Sequence, residues 1–418
     1  MLKVARAALR GHGRNMIIVA PTKKASDVAG RETQSSSSSL HQLLYDYGWR
    51  WTTGATGAEI WTRLSVGDSD PTTGGTYAGP RIMIRPDDRI VVDEAGMLDL
   101  EAASALADVL ARTGAGVALV GDERQALPVG HSGAMALFWR YAADQVELST
   151  IHRYEDPAWA NLSLRLREPR NKDVAGGVAD ELIGTGHVVL TDSDVAAREV
   201  MIDGWFDARQ KGQTIALVTA THAEAQAVSE GIQARRIVSG AIGTNRCVVG
   251  QTGQTIFVGD VVQTRRNNGS ADVQNRQSWV VKKITSEKVV LMSASDSSDL
   301  RNISHDYAGS HLHLGYASTV YGVQGETTDL SLVGPGVDAA GLYVGLTRGK
   351  TINSVILVAS TDASAKSQLI EMMQRGTIEE TLQASRVAAR IELSRAARVG
   401  AGPVGGASGE NVGLLASR

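Results

Sequence analysis

The sequence predicts an α/β protein with two parallel-sheet domains, the second interrupted by a small antiparallel β-barrel, followed by a C-terminal helix and a disordered tail. Three observations carry this. Buried-type, β-branched runs alternate with helical stretches in both halves of the chain, the pattern of strand–helix–strand crossovers. One such run, Arg89-Ile-Val-Val, ends in the adjacent carboxylates Asp93 and Glu94. Between Cys247 and about His305 the pattern changes to short alternating runs bounded by turn residues.

Composition narrows the class. A chain of 418 residues can bury two or three cores, and 43% hydrophobic with 21% charged residues is ordinary for a soluble globular protein. The net charge of −3 provides no global basic field, so a nucleic-acid site has to rest on local Lys and Arg clusters. The single cysteine, Cys247, cannot form an intrachain disulfide and suits a reducing compartment. No apolar run approaches the ~18 residues needed to cross a bilayer, and the N-terminus lacks a signal-peptide core. A cytoplasmic protein is expected.

Taken in order, residues 2 to 10 place Leu2, Ala5 and Leu9 on one helical face, and Gly11 and Gly13 stop the helix. Met16-Ile-Ile-Val-Ala is a strand whose following turn carries Pro21, Thr22, Lys23 and Lys24, read either as phosphate contacts for a nucleic-acid strand or as a solvated loop. His41 is read as structural, because nothing near it has metal-ligand spacing. Trp49, Trp51 and Trp61 are read either as core or as base-stacking groups. After the Asp93-Glu94 strand, residues 100 to 112 form a helix and 116 to 120 a strand that delivers Gly121, Asp122 and Gln125. Polar loops at the carboxyl ends of parallel strands are where open α/β sheets bind ligands. A second α/β unit begins with the strand at Thr214 and the helix 223–236, and resumes at Leu314 after the barrel. In the barrel, Arg265, Arg266, Lys282 and Lys283 either face nucleic acid or guard exposed strand edges. An Ala-rich helix with Arg386, Arg390 and Arg395 precedes the Gly/Ala/Ser tail from Gly400.

A buried strand ending in Asp-Glu is how nucleoside-triphosphate motors set one carboxylate beside Mg²⁺ and a second near the attacking water. Such a motor also needs Gly-x-x-x-x-Gly-Lys-Ser/Thr between a strand and a helix, and the sequence contains none. Gly345-Leu-Thr-Arg-Gly-Lys-Thr351 is one residue short and runs into a β-type stretch.

The order of these stretches resembles the motifs of superfamily 1 DNA helicases of the RecD-like branch, over roughly residues 15 to 355. Ala20-Pro-Thr-Lys-Lys-Ala25 resembles motif Ia, Asp93-Glu-Ala-Gly96 motif II, Gly121-Asp-Glu-Arg-Gln125 motif III and Ile151-His-Arg153 motif IV. Thr319 to Gly325 resembles motif V and Val344 to Arg348 motif VI. The Thr347-Arg-Gly-Lys stretch with Asn353, and Asn275-Arg-Gln-Ser-Trp279, look most like the helicase half of conjugative relaxases of the TrwC/TraI type. Tyr321 stands where many members have His, and Ala126-Leu127 departs from the usual Leu-Pro.

The resemblance implies two RecA-like domains, at 1–146 and 147–360, with an SH3-like barrel at about 247–305 and a tail from 361 to 418. It implies ATP and Mg²⁺ as cofactors, Asp93 on the metal, Glu94 orienting the water, Gln125 at the γ-phosphate, and Arg153 and Arg348 as arginine fingers. Gly121, Asp122 and Gly325 fall among the nucleotide-binding positions. Pro21, Thr22, Lys24, Thr319 and Gln324, with Arg265 and Lys282 of the barrel, fall along single-stranded DNA.

In complete relatives the phosphate-binding strand lies just upstream of the first helix here. A truncated or split helicase motor that moves 5′ to 3′ is therefore expected, inactive alone, its missing strand leaving two neighbours unpaired and another polypeptide supplying the segment. The alternatives are a non-hydrolysing single-strand-binding scaffold and a RecD-like recombination helicase fragment.

Overall fold

The computed structural model describes residues 2–21, 26, 29–30, 33, 37–53, 59–122, 134–147, 154, 156–167, 171–294 and 296–375. These lie in one compact unit, residues 1–378. The predicted Arg-bearing helix and tail lie outside the described residues.

The first parallel sheet has the order β2-β1-β5-β6, where β1 is Met16–Ala20, β2 Ser37–Ser39, β5 Arg89–Val92 and β6 Gly116–Leu119. Strands β1 and β5 are paired on both sides, and Ile18, Val19, Ile90 and Val92 are fully buried between helices. The four strands therefore pair without a gap, so the expectation of two strands left without partners is not met among the described residues. The edge strand β6 is only partly buried. Helix Leu100–Thr113 begins at Asp99, whose side chain accepts from Ala102 N–H, and stops at the left-handed Gly114.

Between β2 and β5 lies the hairpin β3 (Trp49–Thr53) and β4 (Glu59–Arg63), whose three tryptophans are half-buried. Trp51 and Trp61 stack at 4.9 Å, His41 meets Trp51 edge-on at 5.0 Å, and Trp49 and Trp61 pack against the first core. Beneath them, Arg50 makes a two-point pair with Asp70, Nε to Oδ1 at 3.0 Å and Nη2 to Oδ2 at 2.6 Å, both side chains buried.

The second parallel sheet runs β16-β8-β17-β18-β7, with β7 Val188–Thr191, β8 Ile215–Thr219, β16 Ser318–Thr319, β17 Thr328–Val333 and β18 Gly349–Val358. Helices Asp194–Gln210 and His222–Val238 flank it on one side of the core, and Ala339–Leu346 and Asp362–Gln374 on the other.

Between β8 and β16 the chain forms a five-stranded antiparallel sheet, β14-β13-β12-β11-β15, of Val261–Thr264 (β11), Ser278–Ile284 (β12), Lys288–Ser293 (β13), Leu300–Ser304 (β14) and Leu312–Leu314 (β15). The run at Gln254, read as part of the barrel, instead pairs as β10 (Thr255–Phe257) with β9 (Cys247–Val249) in a separate ribbon. Leu314, read as the return to α/β structure, belongs to β15 and pairs with Val262. Trp279 is fully buried at the centre. A buried polar knot fastens this sheet to helix His222–Val238. Asp260 accepts from Gln233 Nε2, Tyr316 Oη and Phe257 N–H, each at 2.7 Å, and Arg236 donates to Tyr316 Oη at 2.6 Å.

Candidate functional site

Strand β5 carries Asp93 and Glu94 to the carboxyl end of the first sheet. Asp93 N–H still donates to Val19 O at 2.8 Å, continuing the ladder by one residue. Glu94 then turns with φ 53° and ψ 39°, a left-handed conformation, its N–H donating to Asp93 Oδ1 at 3.1 Å. Ala95 N–H donates to Val120 O at 2.9 Å, which tucks the acidic turn against the end of β6. At Gly121 a Cβ would stand 2.7 Å from Ala95 N and 2.9 Å from Gly96 N. Only glycine lets these two turns pass backbone to backbone. The predicted motif II and motif III residues are thus brought into contact.

Asp122 reaches from this point to the second sheet. Its Oδ2 accepts from Tyr343 Oη at 2.9 Å, and its Oδ1 pairs with Arg167 Nε at 3.2 Å. Tyr343 lies on helix Ala339–Leu346 and Arg167 at the end of helix Pro157–Arg167. Burial, and then the Asp122 charge, push the Tyr343 hydroxyl above its ordinary pKa, so it remains a donor. Neither partner was assigned a role from sequence. Tyr343 directly precedes the stretch Val344 to Arg348 read as motif VI, whereas no pattern marks Arg167.

On the second sheet, Thr319 closes β16 opposite Thr219 and is buried. Gln324 is 8% exposed, and its Nε2 and Oε1 both lack a hydrogen-bond partner among the described residues. Gly325 takes φ 75°, which fits glycine. Arg348 is buried, its Nε donating to Val344 O at 2.9 Å and its Nη1 to Glu326 O at 3.2 Å. An arginine finger at this position would have to exchange those carbonyls for a phosphate.

Pro21 directly follows β1. Thr22, Lys24, Gln125 and Arg153 lie outside the described residues. In the antiparallel sheet, Arg265 follows β11 and is half-buried, whereas Lys282 is exposed at a β-bulge between Val281 and Lys283. The pairing Gln263↔Ser278 places Arg265 at one end of β12 and Lys282 toward the other, so the two do not form one patch.

Among the described residues no three His, Cys, Asp or Glu side chains converge as a metal site. A magnesium ion that arrives with phosphates needs only one or two carboxylates, and the half-buried Asp93 fits that demand. The amide cradle for the phosphates has no counterpart in the sequence.

A family model described as an AAA domain matches residues 1–189. The probable conjugal transfer protein TraA of Sinorhizobium fredii is 23% identical over 298 residues, 70% of this chain and 26% of its own length. TraA of Rhizobium radiobacter is 23% identical over 297 residues, with the same coverage of 70% and 26%. The chain spans about a quarter of the length of these curated relatives. Among solved structures, Bacteroides Pif1 bound to single-stranded DNA has a TM-score of 0.51 at 15% identity, covering 94% of this chain and 90% of its own. A structure of two coordinating Pif1 helicases at forked duplex DNA has a TM-score of 0.52 at 16% identity, covering 96% and 92%. The fold is thus that of the Pif1 structures, with RecA-like parallel sheets.

Proposed function

We propose that this chain is the ATP-dependent, 5′ to 3′ DNA-translocating motor region of a conjugative relaxase, and that it hydrolyses nucleotide only when another segment of polypeptide supplies the phosphate cradle. The observation that carries the reading is the linkage at Asp122. The turn beside Asp93 and Glu94 is bonded directly to Tyr343 and Arg167 of the second α/β layer. A change at the nucleotide end of the first sheet therefore has a short mechanical path to the second. The relatives named as conjugal transfer proteins, and the Pif1 structure bound to single-stranded DNA, support the same partner and process.

In this reading Asp93 holds Mg²⁺ with the nucleotide, and the ion supplies charge neutralisation at the transferred phosphoryl. Glu94 orients water from its left-handed turn directly after the strand. Gln125 and Arg153 serve as the γ-phosphate contact and one arginine finger, and Arg348 as the second after its carbonyl bonds are exchanged. Pro21, Thr22, Lys24, Thr319 and Gln324 line the single-strand track, and the unpartnered amide of the buried Gln324 supports that assignment. The domain division at about residue 147, with the antiparallel sheet as an inserted module, is part of the same proposal.

Fluorescence anisotropy with a labelled oligo-dT strand and its duplex tests the partner. Single-strand binding should exceed duplex binding, weaken with salt, and fall about tenfold in Thr319→Ala and Gln324→Ala. A chain that binds no single strand at low salt overturns the reading.

A further inference from the structure

The connection from β11 to β12 holds Arg265 at its start and Arg276 near its end, both half-buried where the antiparallel sheet meets the second parallel sheet. Arg265 Nη2 lies 3.4 Å from Nε2 of His222, the first residue of helix His222–Val238. The Arg276 guanidinium carbon sits 5.2 Å from the centre of the Tyr321 ring. Arg276 takes φ 63°, a region that L side chains rarely adopt, and its N–H donates to Thr264 O at 2.6 Å. The fold thus holds two guanidinium groups, an imidazole and a phenol at one junction.

No carboxylate pairs with either arginine among the described residues. Glu224, on the same helix as His222, is taken by Arg198 at 2.9 Å. Asp338 and Arg375 line the cavity shared by His222, Thr319 and Tyr321; the Asp338 carboxylate accepts from Gly341 N–H and its charge reaches Tyr321, while Arg375 is paired with Glu371. His313 of β15 adds a second imidazole, its Nε2 buried and without a hydrogen-bond partner among the described residues. Burial, then Arg265 and Arg276, hold His222 below its ordinary pKa, while burial, Arg265 and His222 push His313 down to about 4. The Nε2 donor of the buried Gln324, three residues after Tyr321, has no hydrogen-bond partner among the described residues. Two guanidinium groups without a carboxylate partner, with an unmet donor on the same stretch as Tyr321, call for an anion.

We propose that Arg265, Arg276 and His222 form a phosphodiester subsite and that Tyr321 stacks the adjoining base, so that this junction grips one nucleotide unit of a single DNA strand. The assignment rests on the reading of the chain as a single-strand motor and names residues for its grip. It also resolves the two readings of Arg265, because an edge-guarding charge would stand in solvent and not against His222.

The test uses the full chain and a labelled oligo-dT strand, titrated at several salt concentrations and at pH 6, 7 and 8. Arg265→Gln with Arg276→Gln should weaken binding about 10- to 100-fold and flatten the plot of log affinity against log salt by roughly 0.7, the value for one phosphate that is no longer neutralised. Tyr321→Ala should weaken binding about 5- to 100-fold without changing that slope, and Tyr321→Phe should restore it. Parent affinity should rise as pH falls from 8 to 6, because phosphate favours protonated His222, and His222→Asn should remove most of that rise. Thermal melts should show the arginine variants folded, since they relieve like-charge crowding. Inorganic phosphate and ADP serve as competitors. If either displaces the strand at the same concentration of phosphate groups, the site is one for free anions and the assignment fails. If the parent binds and the arginine pair leaves affinity and slope unchanged, this assignment fails while the proposed function stands. A parent that binds no single strand removes both.

Discussion

The Tyr343 hydroxyl donates to the Asp122 carboxylate at 2.9 Å across a sequence separation of 221 residues, joining the helix that leads to Arg348 with the turn that follows β6. Arg167 holds the other oxygen of the same carboxylate at 3.2 Å. A carboxylate with two partners from one layer and a backbone from the other is a joint that any relative movement of the layers must break or carry.

Removing that hydroxyl should loosen the joint without emptying it. Tyr343→Phe should lower unfolding stability by about 1 kcal/mol, a bond to a charged acceptor discounted for partial exposure. Chemical denaturation of parent and variant reads this. An unchanged midpoint with an unchanged slope would mean that the bond contributes nothing in solution.

Glycine at position 121 is required by space. Gly121→Ala places a methyl group 2.7 Å from Ala95 N, a backbone atom that no side-chain rotation can move. It should cost about 1–3 kcal/mol and displace the Asp93-Glu94 turn. Gly325→Ala meets nothing within 4 Å but keeps φ 75°, so it should cost only about 1–2 kcal/mol. Melting temperatures of the two variants should therefore rank in that order, and the reverse ranking would contradict the packing argument.

The His313 imidazole makes stability depend on pH in a definite direction. Its folded pKa lies near 4, below the ordinary 6.5, so the unfolded chain binds the extra proton first. Its contribution is complete above about pH 6.5 and is lost as pH falls toward 4, with an upper limit on the order of 3 kcal/mol. His313→Gln should flatten the stability profile between those values, as measured by denaturation at successive pH. Loss of stability as pH rises through the same window would contradict the sign.

Much of this was legible in the sequence. Arg89-Ile-Val-Val ends in a buried parallel strand as read, and Leu100 to Arg112 and Ala223 to Arg236 are helices within one or two residues of the predicted ends. Residues 170 to 213 gave no reading, although helices Lys172–Gly184 and Asp194–Gln210 and strand β7 lie there. Their helical signal is blurred by Gly176, Gly177 and Gly204 inside the helices, residues of low helix propensity. The site was legible where a motif keeps its residues close together, as at Asp93, Glu94, Gly121 and Asp122. The cluster at Arg265, Arg276, His222 and Tyr321 was not, because its members come from three stretches that meet only when the antiparallel sheet docks on the second parallel sheet.

In the proposed motor, Asp93 and Glu94 form a hydrolytic site that needs a phosphate cradle from another segment. The direct measurement is phosphate release from ATP in the presence of single-stranded DNA, comparing the 418-residue chain with one in which a strand and a Gly-x-x-x-x-Gly-Lys-Thr segment from a close relative precede Leu2. Loss of one preorganised donor typically costs ~10²–10³ in rate, so loss of the whole cradle should leave the unextended chain without detectable turnover. The extended chain should turn over ATP, and Glu94→Gln should abolish it. Turnover by the unextended chain that Glu94→Gln removes would contradict the account.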